Sequence, residues 1–162
     1  MNQEFYVGRA MDAYEYLGCH LTEEGAVFRV FAPAAKGVAV IGDFNNWTDE
    51  PMYKVYDGNF WECHIDGVTE GQMYKYRIYR QDGLVVDHCD PYGFGMELRP
   101  GACSIIRDLS EYTFTDEKWM KKRTRAYDKP LNIYELHLGS WKMKGDTWYS
   151  YNEIADELIA YL

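Results

Sequence analysis

Trp47 lies in the stretch VIGDFNNWTDEP, Val40 to Pro51, among residues suited to turning rather than to packing. Asp43, Asn45, Asn46, Thr48 and Asp49 form local backbone hydrogen bonds and tolerate positive φ. A tryptophan among them has one of two uses. It is a plug folded back onto the core, or it is a flat face held out for a ligand. The second use has a definite chemistry. A sugar ring presents C–H groups that pack on an aromatic face, and its hydroxyls require donors and acceptors. Trp47 offers the face, and the amides of Asn45 and Asn46 and the ammonium of Lys75 offer polar contacts. Turn geometry alone also accounts for Asn45 and Asn46, so both readings stay open at this point.

Other residue types with chemical potential are less well placed. Cys19, Cys63 and Cys89 adjoin His20, His64 and His88, and Cys103 stands apart. A zinc site of thiolates and imidazoles requires short-spaced pairs, and none is present. Neighbours on a strand also point to opposite faces, so Cys63 and His64 do not share an ion readily. No metal and no cofactor is expected, and the cysteines read as reduced thiols packed as small hydrophobes. Asp87 and Asp90 in DHCDP sit at a strand end and a turn, which explains both. Lys121, Lys122, Arg123 and Arg125 form a basic cluster that reads as a solvated connector.

The 162 residues are 47% hydrophobic and include 15 Tyr, 7 Phe and 5 Trp, enough for a packed core. A net charge of −9 argues against a nucleic-acid partner, which needs lysine and arginine to neutralise phosphates. No apolar run approaches the roughly 20 residues of a membrane span. The N-terminus lacks the basic start and apolar stretch of a signal peptide, so a cytoplasmic location is expected.

The elements that must position Trp47 and Lys75 read as short strands. AVFRVFAP ends at Pro33, and GVAVIGDF follows after a short turn. In GNFWECHIDG, Trp61, Cys63 and Ile65 alternate with Glu62 and His64. In QMYKYRIYRQDG, Tyr74, Tyr76 and Ile78 share one face, which turns Lys75, Arg77 and Tyr79 to the other. Asp82-Gly83 predicts a hairpin turn, and LVVDHCDPYG and CSIIRDL predict two more strands. Such spacing predicts a β-sandwich of about 80 to 100 residues. AMDAYEYLG, ahead of it, predicts a short helix.

From residue 111 the chain turns polar, and 111–130 reads as an extended linker ending at Pro130. LNIYELHLG, Leu131 to Gly139, is apolar on both faces, as in a strand buried within a parallel sheet. Ser150-Tyr151-Asn152-Glu153 is an S-x-x-E capping box. It predicts a helix with Ile154, Ala155, Leu158, Ile159 and Leu162 on one face. A strand, a loop and a helix with no second strand suggest a fragment cut inside a β/α domain.

These residues carry a resemblance. RVFAPAAKGVAVIGDFNNWT, MYKYRI and DPYGFGMELRPGACSII resemble the glycan-binding module of carbohydrate-binding module family 48, which precedes the barrel of branching enzymes and isoamylases. NIYELHLGSW and SYNEIADELIAYL resemble the first strand and helix of the (β/α)8 barrel of bacterial α-glucan branching enzymes, in glycoside hydrolase family 13. The resemblance implies an N-terminal segment at 1–17, an immunoglobulin-like β-sandwich at 18–110, a linker at 111–130 and a truncated barrel start at 131–162. It also implies sugar contacts by Trp47 and Lys75. A second contact tryptophan of the family is matched here by Val85, and polar contacts near the last strand are matched by Gly101 and Cys103. The implied platform is therefore depleted, and the module is expected to bind glycan weakly and to brace the barrel.

The implied partners are an α-1,4-glucan, such as glycogen or a maltooligosaccharide, and the remainder of the barrel. Transfer of a glucan chain with retention needs two close carboxylates. In the family these lie on later barrel strands, so no catalytic residue is expected here. Tyr92 is expected at a domain contact and His137 as a packed histidine near a barrel strand end. Two other readings are a free-standing glycogen-binding regulatory module and an immunoglobulin-like interaction domain without a sugar function.

Overall fold

Alternation in the sequence becomes alternation in burial. The computed structural model describes residues 3–110, 112–124 and 128–162. They divide into two compact units, Met1–Thr113 and Phe114–Leu162. Arg125 of the basic cluster lies outside the described residues.

The first unit opens with a single helical turn, α1 (Gln3–Tyr6), and a 3-10 turn at Ala13–Glu15. Ten strands follow. They are β1 (Gly18–Leu21), β2 (Gly25–Phe31), β3 (Gly37–Gly42), β4 (Glu50–Pro51) and β5 (Tyr53–Val55), then β6 (Phe60–Asp66), β7 (Met73–Tyr79), β8 (Val85–His88), β9 (Gly95–Met96) and β10 (Ser104–Ile105). One sheet has the order β1-β2-β6-β5. The other has the order β4-β3-β7-β10-β9, with β8 also paired to β7. All these pairings are antiparallel.

The predicted sandwich is thus present. Phe28 of β2 meets Tyr74 of β7 edge-on at 5.2 Å, joining the inner faces of the two sheets. Val30, Val40, Trp61, Cys63 and Tyr76 are buried in the same cluster. Asp90 is buried as well, and its Oδ2 accepts the hydroxyls of Tyr74 at 2.7 Å and Tyr76 at 3.1 Å. Its Oδ1 accepts the Tyr92 N–H at 2.8 Å. The carboxylate therefore gives three donors a partner, while the Tyr76 hydroxyl also reaches the Arg29 carbonyl at 3.3 Å.

Several local expectations change. AMDAYEYLG forms only the 3-10 turn, because its apolar residues pack as a small cluster rather than as a helix stripe: Ala13 and Leu17 lie against Phe60, with Tyr92 beside them. Tyr92 is thus a packing residue within the unit. Asp82-Gly83 does lie in the predicted hairpin, between β7 and β8, closed by the Arg80 N–H donating to the Leu84 carbonyl at 2.9 Å. Gly83 has φ 85, which glycine supplies without steric cost.

The second unit contains α2 (Glu117–Lys122), α3 (Leu138–Trp141), a hairpin of β11 (Met143–Lys144) and β12 (Thr147–Trp148), and α4 (Tyr151–Tyr161). A helical turn and a half therefore interrupts the expected extended linker. The capping box forms at α4: the Glu153 N–H donates to Ser150 Oγ at 3.4 Å and the Ser150 N–H donates to Glu153 Oε2 at 3.0 Å. Of the predicted apolar face, Ile154 is buried and Leu158 half-buried, whereas Ala155, Ile159 and Leu162 are exposed.

The stretch 131–137 forms no strand, and Leu138 already belongs to α3. A strand of a parallel sheet satisfies its backbone groups only through neighbouring strands. Among the described residues no strand pairs with this stretch, and Leu131 and Ile133 are about 80% exposed (80% and 82%). His137 is exposed rather than packed, with Nδ1 2.9 Å from Ser140 Oγ.

Candidate functional site

The outer face of the second sheet is built by the alternation of β7. Tyr74 and Tyr76 are buried inward, which leaves Lys75, Arg77 and Tyr79 outward and half-buried. Register sets their neighbours: Ile41 lies opposite Lys75 and Ala39 opposite Arg77. On the other side of β7, Ser104 pairs with Tyr74. One residue back, Cys103 comes opposite Lys75. Ser104 also pairs with Met96, and the Glu97 N–H donates to the Cys103 carbonyl at 2.9 Å. Ile41, Lys75, Cys103 and Glu97 therefore form one row across the sheet.

The turn that carries Trp47 leaves the end of β3. Gly42 is required there, because a Cβ would lie 2.5 Å from the Met73 carbonyl oxygen and 2.7 Å from the Phe44 ring. Asn45 closes the turn with its amide. Its Oδ1 accepts the Gly42 N–H at 2.9 Å and its Nδ2 donates to the Val40 carbonyl at 3.0 Å. Asn46 is exposed, and Asn46 and Trp47 both have left-handed backbones, with φ 53 and 59. Left-handed geometry is common for asparagine and costly for tryptophan. The Trp47 N–H donating to the Gly42 carbonyl at 2.9 Å helps to hold it.

Trp47 itself is half-buried. Its Nε1 donates to Asp43 Oδ1 at 3.1 Å, and Asp43 Oδ2 accepts the Met73 N–H at 2.8 Å. Asp43 thus ties the indole to the start of β7. Two residues beyond Trp47, Asp49 accepts from Arg77 at 2.8 Å and from the Tyr79 hydroxyl. Arg77 also grips Asp87 through two bonds, at 2.8 and 2.9 Å. These bonds fix the turn over the outer face, and the Arg77 guanidinium holds the Asp87 carboxyl below the usual carboxylate range.

The structure therefore joins Trp47 and Lys75 to one sheet face. It gives Asn45 a backbone role and leaves Asn46 at the solvent edge of the same turn. The sequence did not reveal the tie from Asp43 to the indole, the Asp49–Arg77–Asp87 clamp or the place of Glu97. Asp43 stands four residues before Trp47, which is a weak local signal, whereas the others depend on register. Val85 lies opposite Tyr79 and is 49% exposed, so this position carries no aromatic face.

Among the described residues, the rest of the unit shows no comparable arrangement. Asp90 has its carboxyl pushed up by burial, yet its oxygens are committed to Tyr74, Tyr76 and Tyr92 inside the core. Burial likewise raises the thiols of Cys19 and Cys63, the latter to about 12. Among the described residues no group of three or more His, Cys, Asp or Glu is arranged to hold a metal ion, and no helix is long and apolar enough to cross a membrane. A cleft of about 810 Å³ lined by Ala32, Pro33, Ile78, Asp82 and Cys89 excludes Trp47 and Lys75 from its walls.

Comparison with known proteins identifies relatives of this chain and of its fold. Residues 16–93 match the family described as Carbohydrate-binding module 48 (isoamylase N-terminal domain). The chain is 43% identical over 162 residues to the 1,4-alpha-glucan branching enzyme GlgB of Fusobacterium nucleatum subsp. nucleatum, covering 98% of this chain and 26% of that enzyme. It is 44% identical over 167 residues to GlgB of Bacillus caldolyticus, covering 98% and 25%. The chain thus spans about a quarter of the length of the curated relatives it matches. Among solved structures, a pullulanase from Anoxybacillus sp. LM18-11 complexed with maltotetraose aligns with a TM-score of 0.54 at 21% identity, over 65% of this chain and 16% of that one. A maltotriose complex of the PulA-G680L mutant from Klebsiella pneumoniae aligns at 0.51 and 24%, over 58% and 11%. At these identities the two structures establish the shared fold. Residues 16–93 are accordingly a carbohydrate-binding module 48 domain, in a chain homologous to about a quarter of the GlgB branching enzymes.

Proposed function

We propose that the outer face of the second sheet binds α-1,4-glucan, with Trp47 stacking on a sugar ring and Lys75 donating to its hydroxyls. The observation that carries this reading is the anchoring of the Trp47 indole through Asp43 to β7, the strand that presents Lys75 on its outer face. Trp47 is half-buried, so part of its ring remains accessible, and a bond to its N–H orients it. Asn46 is the remaining polar candidate, and Asn45 acts by shaping the turn. The names of the relatives and the maltooligosaccharide complexes of the pullulanases favour this ligand class.

The whole enzyme, on this reading, cleaves an α-1,4 bond and rejoins the chain to a 6-hydroxyl in glycogen synthesis, in the cytoplasm. The two carboxylates that such a reaction requires belong to the barrel, and this chain supplies binding and a brace. Residues 131–162 are the opening β/α unit of that barrel, and the remaining strands are the partner that its exposed leucines and isoleucines lack. The match to GlgB over 98% of the chain supports this over a free-standing regulatory module.

Electrophoresis of the chain through a native gel containing glycogen tests the binding. The expected result is retardation of the wild type that Trp47→Ala abolishes. Equal mobility of the two proteins with and without glycogen would overturn the reading.

A further inference from the structure

The depleted end of the platform is not empty. Gly101 stands where the family resemblance implies a polar contact, and the space over its Cα is filled from another part of the chain. A Cβ built on Gly101 would lie 2.0 Å from Glu97 Cδ and 2.3 Å from Glu97 Oε2. Glu97 reaches this position from the end of β9, and it is half-buried. The Cys103 N–H donates to Glu97 Oε2 at 3.2 Å. The carboxyl is held below its usual range, first by that backbone bond and further by the Lys75 charge.

We propose that Glu97 is a further sugar-contacting residue, whose carboxylate occupies the space left by Gly101 and ends the row that begins at Lys75. The inference rests on the reading of the Trp47–Lys75 face as a glucan surface. Neighbouring strands lie about 4.8 Å apart, so the two steps from Lys75 through Cys103 to Glu97 span about 10 Å of sheet. Lys75 is donor-only and an ionised carboxylate is acceptor-only. Sugar hydroxyls are both, so a donor and an acceptor set about 10 Å apart can each pair with a hydroxyl of one glucan segment. The backbone N–H groups of Cys103 and Ala102 and the Cys103 thiol take part of the carboxylate's acceptor capacity, what remains is open to a sugar hydroxyl, and bonds to an ionised acceptor are the stronger kind. The register of three strands, rather than any local motif, creates this pairing.

Two substitutions separate the carboxylate from its position. Glu97→Ala removes it. Gly101→Ala keeps it in the chain and expels it from its seat, and Gly101 has no left-handed backbone that alanine would strain. The measurement is calorimetric titration of the whole chain with maltoheptaose, with thermal melts confirming that each variant is folded. Each variant is expected to weaken binding about tenfold, and Glu97→Gln, with a neutral acceptor, about threefold. Wild-type affinity in Glu97→Ala and Gly101→Ala, with weakened binding in Trp47→Ala, would overturn the role of Glu97 and leave the glucan surface standing. Weakening by Glu97→Ala without weakening by Gly101→Ala would also overturn it, because the seat at Gly101 would then be dispensable. No binding by the wild type would overturn the glucan reading itself, and the role of Glu97 with it.

Discussion

Asp43 holds the Trp47 indole N–H at 3.1 Å with one carboxylate oxygen and the Met73 backbone N–H at 2.8 Å with the other. One side chain thereby sets the distance between the turn and strand β7. This answers why a tryptophan can sit among turn formers: its edge is fixed by a charge-assisted bond while part of its surface stays in water.

Asp43→Ala should therefore loosen Trp47 without removing it. A net loss of about 1 kcal/mol of stability is expected from the two bonds. Affinity for maltoheptaose should fall about threefold to tenfold, as the ring loses its fixed pose. Urea unfolding and calorimetry measure the two effects separately. Unchanged affinity in a variant that has lost stability would show that the orientation of Trp47 does not matter to binding.

Gly42→Ala should be damaging, because Gly42 is buried at the end of β3 where the turn leaves it. The new methyl would meet the Met73 carbonyl oxygen at 2.5 Å, and backbone cannot yield as a flexible side chain can. A loss of about 2 to 3 kcal/mol is expected, the scale of an overpacked core. Thermal unfolding checks it, and a loss below half of that would mean that the turn relaxes.

Legibility in the sequence followed the length of the element. The seven-residue strands β6 and β7 announced themselves, because Trp61 and Cys63 alternate with Glu62 and His64, and Tyr74 and Tyr76 with Lys75 and Arg77. Two-residue strands such as β9 and β10 are too short to show a period, so the place of Glu97 beside Cys103 was hidden. Strand alternation turned Lys75 outward, whereas its pairing with Trp47 was implied by the family resemblance. The double role of Asp43 was not legible, since the Met73 N–H that it accepts lies on a strand far along the chain. Leu131, Ile133, Leu136 and Leu138 showed a need for burial, but a pattern of apolar residues does not name the strands that would cover them. The capping box of Ser150 and Glu153 was legible because it is entirely local.

Asp90 makes stability depend on pH in a defined direction. Burial raises its carboxyl above the ordinary value of 3.8, against the opposing bonds from Tyr74, Tyr92 and Tyr76. The folded state therefore holds the proton at a pH where the unfolded chain has released it. The stability from this group is complete below the unfolded value and is lost as pH rises through the raised folded value, at about 1.4 kcal/mol per unit of elevation. Urea unfolding of the wild type and of Asp90→Asn across acidic pH isolates it: wild type minus variant should decline with rising pH and then level. A difference that climbs with pH would contradict the assignment. Asp90→Ala, which takes the acceptor from the Tyr74 hydroxyl and the Tyr92 N–H and leaves Tyr76 only the Arg29 carbonyl, should cost about 3 kcal/mol.

The thiols should react in an order set by burial. Cys89 is exposed and Cys103 half-exposed, whereas Cys19 and Cys63 are buried with their thiols pushed up. Labelling with a thiol-reactive chromogenic disulfide should modify Cys89 first and Cys103 more slowly. Cys19 and Cys63 should react only on addition of denaturant. Rapid reaction of either one in the native protein would mean that the sandwich opens locally.

The most direct measurement is a titration of the chain with maltoheptaose followed by intrinsic tryptophan fluorescence, in parallel with Trp47→Ala. The prediction is a saturable change in the wild type that is lost in the variant, while both melt within a few degrees of each other. No saturable change in the wild type, with a Trp47→Ala variant that melts far lower, would contradict it and make Trp47 a structural plug.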